Sequence, residues 1–349
     1  MFSFLKPDKS EMIMTEHSDQ NHPHLGFVGL GWIGLKRLQP LADNGWDGEL
    51  TVFDPDQLAV RNTLSAFPKA KSVNSFKELI DLDLDGVVIA TPSALHANQT
   101  EQALRDGLPV FCQKPLGRNL DETERVVSLA QANNLLLGVD FSYRFTEGIQ
   151  EIKAGLKREE LGEIYAIEAV FHNAYGPDKE WYYTKEKSGG GCLIDLGSHL
   201  VDLIQYLLDD GDLEVVYSNL LAKGKSIQSG NDVEDFAEAQ LMTAKGVSVR
   251  LACSWKHAVG KDADIYVKIN GTGGGFGFHN VKGSFYEFKA EKYNQNNATT
   301  LSSTLDNWEG KTLCNWVEEL KKGHGFDPQS IGLINTAKIL DDIYSKAGR

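Results

Sequence analysis

The sequence predicts a doubly wound α/β domain around a parallel sheet, followed by an α+β domain around a mainly antiparallel sheet. Three observations lead there. From Leu25 to about residue 140, short apolar runs alternate with amphipathic stretches. Strands covered by helices on both faces need near-continuous apolar runs, and strand–helix alternation makes such a sheet parallel. After about Phe145 the runs lengthen and alternate apolar with polar residues, the mark of strands with one solvated face. A length of 349 residues also suits two domains better than one.

The parallel strands are read from LGFVGLG, ELTVFDP, DGVVIATP, LPVFCQKP and LLLGVDF, with a short addition near Ser72-Val73. Between them, apolar residues at helical spacing predict helices over 32–44, 57–67, 76–82, 94–106 and 121–134. The longer strands are EIYAIEAVFHNAY, LEVVYSNLLAK, DFAEAQLMTAKGVSVRLACSWKH and ADIYVKINGTGGGFGFHN, the third turning back near Ala244-Lys245-Gly246. One helix, 195–208, interrupts them, and two more, 307–322 and 329–345, close the chain. The organisation expected is a flexible tail over 1–23, a nucleotide-binding domain over 24–142, and a substrate-binding and oligomerisation domain over 143–349. The C-terminal helix is free to pack back on the first domain. The glycine runs 189–191 and 273–275 are expected to be loops or tight approaches.

Composition narrows the function. A formal net charge of −14 argues against nucleic acid and anionic membrane as partners. No stretch reaches the roughly 20 apolar residues of a membrane span. The start lacks a basic segment followed by a long apolar core, so no secretory signal is expected. Cys112, Cys192, Cys253 and Cys314 fit no metal-ligand spacing, and His22 and His24 are expected in a flexible tail, so no metal site is predicted. Reduced thiols without a signal peptide point to the cytoplasm.

The first strand runs into Gly29-Leu30-Gly31-Trp32-Ile33-Gly34, a G-x-G-x-x-G that opens a helix. That context makes a dinucleotide site: Gly29 for the turn, Gly31 for approach to a pyrophosphate, Gly34 for helix–strand packing. The helix N-terminus then faces the negative charge. Asp54, ending the second strand, is placed to accept bonds from the adenosine ribose hydroxyls, which favours NAD over NADP. Ligands lie beyond the C-terminal strand ends of such sheets. Two other ends carry polar residues there: Thr91, Pro92, Ser93 and His96, and Gln113-Lys114-Pro115. A lysine at a core strand's end, its backbone restricted by the next proline, is aimed at the cofactor edge.

In GGGCLIDLGSHLVDLIQYLL, Asp195, His199 and Asp202 are spaced to share one helical face. Asp195 can orient His199 or a substrate hydroxyl, and an imidazole can move protons near neutrality. The plainer alternative is a helix start with a core histidine; Asp202 suits a structural role better. A dinucleotide site, a lysine at its edge and an Asp/His pair on a second domain suit hydride transfer at a secondary alcohol. The imidazole removes the hydroxyl proton and the ammonium stabilises the alkoxide. His172 and Asn173 end a strand expected to face the cleft, and Trp181 and its neighbouring tyrosines could wall it.

The segments GFVGLGWIG, VVIATPSALHANQTEQALRDGLPVFCQKPLGRN, GVDFSYRF and GGGCLIDLGSHLVDLIQYLL, in that order, resemble the glucose–fructose oxidoreductase and inositol dehydrogenase family (Gfo/Idh/MocA). The resemblance runs from about Leu25 to the C-terminus. It implies a Rossmann domain and a large open antiparallel sheet through which members pair as homodimers or homotetramers. It also implies an NAD(P)-dependent dehydrogenase or reductase acting on a sugar, sugar derivative or polyol. The matching positions imply catalysis by Lys114, Asp195 and His199, and cofactor contact along Thr91, Pro92, His96 and Gln113. Tyr143 and Arg144 match a junction pair, with Arg144 serving either substrate or hinge. One position departs: the family usually has Glu where this chain has Gln113. An amide still bonds a ribose, but the charge behind Lys114 is expected to be lost, shifting pH optimum or substrate charge. Two further readings use the same residues: a glycosidase that oxidises, eliminates and reduces on NAD, and a non-catalytic NAD or sugar sensor.

Overall fold

The computed structural model describes residues 22–209, 212–227, 232–303 and 306–348. The tail expected over 1–23 lies outside them up to residue 21. The first sheet is built from β1 (Leu25–Val28), β2 (Leu50–Phe53), β3 (Lys71–Ser72), β4 (Gly86–Ile89), β5 (Val110–Cys112) and β6 (Leu137–Val139). They lie in the order β3-β2-β1-β4-β5-β6, every pair parallel. The reversal between β1 and β4 makes a crevice at the C-terminal strand edge.

Helices α1 (Trp32–Asp43), α2 (Gln57–Ala66), α3 (Phe76–Ile80), α4 (Ser93–Arg105) and α5 (Leu120–Ala132) connect these strands. Side chains cap three of them: Asp56, Ser75 and Asn119 accept from the N–H groups of Leu58, Glu78 and Glu122. The sheet is apolar on both faces, as its strands demanded. Val28, Ile89 and Cys112 pack beneath α4 and α5, while Phe27, Val88 and Phe111 face α1.

A 3-10 turn over Ser142–Phe145 leads into α6 (Glu147–Lys157) and a nine-stranded sheet. Its strands are β7 (Ile164–Asn173), β8 (Leu213–Ala222), β9 (Lys225–Ser226), β10 (Phe236–Thr243), β11 (Ser248–Ser254), β12 (Ala263–Gly271), β13 (Gly274–Asn280), β14 (Phe288–Asn294) and β15 (Asn297–Ser302). The order is β15-β14-β13-β12-β7-β11-β10-β8-β9. All pairs are antiparallel except β7 with β11 at the centre. The expected turn at Gly246 is present, with φ +81.

Three features depart from expectation. Helix α6 was not anticipated, because Gly148 and Gly155 look like breakers. They allow close packing instead: a Cβ on Gly155 would stand 2.5 Å from the Phe276 ring. The predicted 195–208 helix is in fact a π turn, Leu193–Gly197, running into α8 (Ser198–Leu208) behind a short α7 (Lys185–Ser188). The combined helical run Lys185–Leu208 passes the length and hydropathy test for a membrane span, against the expectation, yet 83% of its apolar window is buried. Core helices meet that test too.

The last two helices, α9 (Lys311–Lys321) and α10 (Gly332–Lys346), join the halves. α9 returns to the first sheet beside α1, with Trp316 against Phe111 at 5.9 Å between centroids. α10 lies among α5, α8 and β8. Thus α6, α8 and α10 cover one face of the second sheet and leave the other open, with Tyr217 more than half exposed there. Trp316 is only 4% exposed, so Trp316→Ala should destabilise the protein by about 3–5 kcal/mol. A urea midpoint unmoved by that substitution would show that α9 contributes little to holding the first sheet.

Candidate active site

Three loops at the C-terminal edge of the first sheet form one wall. In the first, Gly29 has φ +91, and a Cβ there would meet the Ala90 carbonyl at 2.4 Å. A Cβ on Gly34 would meet the Gly29 carbonyl at 2.1 Å. Gly31 differs: a Cβ there would touch nothing within 4 Å. The protein itself does not require glycine at 31, so its open side is a cradle for a ligand. Trp32 beside it is 65% exposed, and Ile33 is half-buried. Asp54 Oδ2 accepts from the Leu30 N–H at 2.7 Å, and Oδ1 from Asp56 N–H at 2.8 Å. Each oxygen keeps a lone pair for a hydroxyl. These residues fit a dinucleotide.

Thr91 donates to Gln99 Oε1 at 2.6 Å, and Pro92 sits exposed at the start of α4. His96 is 1% exposed, with one ring nitrogen on Pro115 O (2.7 Å) and the other on Thr91 O (2.6 Å). Burial lowers its pKa. Expected at the cofactor, His96 lies between two backbone carbonyls, donating to one of them as a neutral ring, and bridges two strand ends. Gln113 is buried, its Nε2 donating to Asp140 Oδ2 at 2.6 Å.

Lys114 meets the second half of the chain. Its Nζ donates to Asp195 O at 2.6 Å and to Asp195 Oδ1 at 2.8 Å. Trp255 Nε1 donates to the other carboxylate oxygen at 3.1 Å. Behind Asp195, Glu234 Oε1 accepts from Gly191 N–H (2.8 Å), Leu193 N–H (3.0 Å) and the Tyr344 hydroxyl (2.7 Å). Ser93, Lys114, Trp181, Tyr182, Gly190 and Asp195 line a cleft there. Trp181 and Tyr182 stack at 3.8 Å, so one of that pair is packing for the other.

His199 is 9% exposed, and its Nδ1 is enclosed without a hydrogen-bond partner. The rings of Tyr143 (4.9 Å) and Phe141 (5.9 Å) meet it edge-on. Burial, then the charges of Lys114 and Arg37, hold its pKa well below the usual histidine value. The imidazole is neutral at physiological pH. Tyr143 also stacks on Trp308 at 5.1 Å, and burial raises the pKa of its phenol.

The structure separates groups that the sequence put together. Asp195 bonds Lys114 and Trp255, not His199, because the π turn carries more residues per turn and rotates Asp195 off the α8 face. Asp202, one turn beyond His199, is buried in a two-point ion pair with Arg144, Nε to Oδ2 at 2.7 Å. Arg144 therefore holds the junction rather than a ligand. His172 does not face the cleft. Phe171 lies on the helix-covered side of β7, so its neighbour projects from the open face. There it stacks on His257 at 4.6 Å and its Nδ1 lies 2.7 Å from Ser254 Oγ. Burial, then the His257 charge, lowers its pKa to about 4. Asn173 has the opposite phase, on the helix-covered side with Phe171, and its Oδ1 is enclosed and unpartnered. Among the described residues, no three His, Cys, Asp or Glu side chains group to hold a metal.

Sequence reasoning missed Arg37, Asp140, Trp255 and Glu234. Charged residues inside apolar runs were the available signal: Asp140 in GVDF, Glu234 before a strand.

Known proteins share the family models and the fold of this chain. A GFO/IDH/MocA C-terminal domain model matches residues 149–277, and an oxidoreductase family model with an NAD-binding Rossmann fold matches 24–141. The glucose-6-phosphate 3-dehydrogenase of Bacillus subtilis is 24% identical over 335 residues, 88% of this chain and 93% of its own. KijD10, a 3-ketoreductase from Actinomadura kijaniata solved with NADP and TDP-benzene, shares the fold at TM-score 0.79 and 22% identity, covering 93% of this chain and 97% of its own. A levoglucosan dehydrogenase solved with NADH and levoglucosan does so at TM-score 0.78 and 20% identity, with the same coverage.

The depressed His199 pKa has a stability consequence. The unfolded chain, with an imidazole pKa near 6.5, binds the proton more readily, so stability falls as pH drops below about 6.5. His199→Gln should flatten that acid limb. Urea unfolding at pH 7 and pH 5.5 measures it, and an unchanged slope would mean that His199 is not held neutral by the fold.

Proposed function

The chain belongs to the Gfo/Idh/MocA family of NAD(P)-dependent oxidoreductases, and from that premise we propose the chemistry of its cleft and the class of its substrate. The reading rests on the Lys114–Asp195 bridge beside the glycine loop. The substrate is a sugar, sugar derivative or polyol, oxidised at a secondary hydroxyl or reduced at the matching ketone. Two of the relatives, the glucose-6-phosphate 3-dehydrogenase and the levoglucosan dehydrogenase, are named for such molecules, and Trp181 offers an aromatic wall to one. NAD, held by Gly29, Gly31, Gly34 and Asp54, supplies the hydride acceptor or donor.

The remaining chemistry belongs to side chains. Lys114 has three N–H groups, and Asp195 engages two of them. The third is free for the substrate oxygen, where an ammonium stabilises an alkoxide. His199 shares that oxygen as a neutral ring. A proton on its partnerless Nδ1 would leave a buried donor unmatched, at a cost of about 1–3 kcal/mol. The tautomer protonated at Nε2 leaves only an acceptor unmatched there, so His199 donates a hydrogen bond to the substrate oxygen. Lys114 gives that oxygen its proton as the ammonium in reduction and takes it as the neutral amine in oxidation. Asp195 holds Lys114 in place, and Trp255 holds Asp195. Tyr143 supports His199.

We also propose that the open face of the second sheet pairs copies of the chain as a homodimer or homotetramer. The free thiols suit a cytoplasmic setting.

Lys114→Ala should lower kcat by about 10²–10⁴-fold. His199→Ala should lower it too, and His199→Gln, which keeps a donor, should recover part of the loss. Equal rates for the two His199 variants would return proton transfer to the imidazole. Asp54→Ala should weaken NAD and relax discrimination against NADP. A sugar and polyol panel with both cofactors, followed by NADH absorbance, tests the substrate class: turnover confined to non-carbohydrate alcohols would refute it. Tyr217→Glu should shift light-scattering mass toward monomer if the open face is the contact, and an unchanged mass would exclude it.

A further inference from the structure

A buried trio behind Lys114 takes no part in the chemistry above. Arg37 of α1 is 6% exposed and Asp140, just after β6, is 1% exposed. Arg37 Nε donates to Asp140 Oδ2. Gln113 Nε2 donates to the same oxygen at 2.6 Å. The Asp140 backbone is fixed as well, its N–H donating to Cys112 O at 3.0 Å. One guanidinium, one carboxylate and one amide make the trio neutral.

This arrangement decides what Gln113 offers. A carboxylate oxygen accepts and cannot donate, so the amide must turn its NH₂ toward Asp140. Its carbonyl Oε1 is then directed away from Asp140. That atom is not among the enclosed, unpartnered ones and no hydrogen bond to a described residue engages it, so it keeps contact with solvent at the strand end that carries Lys114. We propose that Arg37 and Asp140 are positioning residues that lock Gln113 as a hydrogen-bond acceptor for the ribose hydroxyl nearest the nicotinamide. The proposal rests on the NAD reading above.

The trio also accounts for the departure from Glu at 113. The charge expected to be missing behind Lys114 is present on Asp140, one side chain further back. A Glu at 113 would set a second carboxylate against Asp140 Oδ2, with one guanidinium for both. Asp140 Oδ1 is already enclosed without a partner, so a second carboxylate would add an anion where one acceptor oxygen is unmatched as it stands. Two carboxylates in contact cannot both ionise. Exchanging the two side chains, Gln113→Glu with Asp140→Asn, would keep one acid, one amide and the guanidinium.

The test is NADH binding by fluorescence titration, without substrate, on the full chain. Gln113→Glu should weaken NADH about tenfold or more, and the exchanged double variant should return to within about threefold of wild type. Gln113→Met, which removes the acceptor and adds no charge, should also weaken NADH about tenfold. It keeps the test open if Gln113→Glu does not fold; thermal melts of each variant report that. Wild-type affinity in Gln113→Glu or Gln113→Met, or a double variant no tighter than Gln113→Glu, overturns the proposal. A wild type that binds no NADH overturns it together with the cofactor reading. Failure of every sugar to turn over, with the NADH pattern intact, refutes the substrate reading alone.

Discussion

The site depends on one contact across 81 residues of chain, the hydrogen-bonded ion pair between Lys114 and Asp195. Lys114 stands at the end of a strand in the parallel sheet. Asp195 stands in a π turn packed under the second sheet. Neither is fully buried, each side chain keeping 17% exposure, so the pair stays open to a substrate while remaining partly desolvated. A charge-assisted bond in that setting is stronger and more directional than on a surface. It fixes where the two halves of the chain meet, and Trp255 completes it by holding the other carboxylate oxygen.

Two more ion pairs flank the first, Arg37 with Asp140 and Arg144 with Asp202. Each is close to neutral as a pair, which is the condition for placing charges in a dry interior. Their geometry is not symmetrical with respect to His199. The cations Lys114 and Arg37 act on the imidazole, and no carboxylate offsets them. Burial acts in the same direction. The ring is therefore kept neutral by its whole surroundings, and no carboxylate partner orients it. Aromatic edges hold it instead.

Much of this was legible in the sequence because the signals were local. The glycine loop, the apolar parallel strands, Asp54 and Lys114 follow from spacing and flanking residues alone, and the structure puts them along one edge. What was not legible depends on phase and on distance. His172 and Asn173 are neighbours on a strand, so only one can face the helix-covered side, and sequence did not set which. The π turn shifts the register before His199, and nothing in DLGSH announces a bond to residue i+5. Gln113 looked like a lost charge because its partner, Asp140, lies 27 residues away. Helix α6 was hidden by glycines needed for packing.

The glycine run before Asp195 makes the same point about cause. It was expected to let a backbone come close to something, and the partner is not a ligand. A Cβ on Gly191 would stand 1.9 Å from the Glu234 carbonyl, and one on Gly190 would stand 2.0 Å from the Tyr344 hydroxyl. Glu234 is fully buried, yet its carboxylate gathers two N–H groups at the entry to the π turn and the hydroxyl from α10. Burial raises its pKa against those bonds. A buried acid is tolerated because it satisfies donors that would otherwise be stranded at a helix start. Through it the last helix of the chain fixes the turn that carries Asp195, so the position of Lys114's partner is set from the C-terminus as well as from the strand it faces.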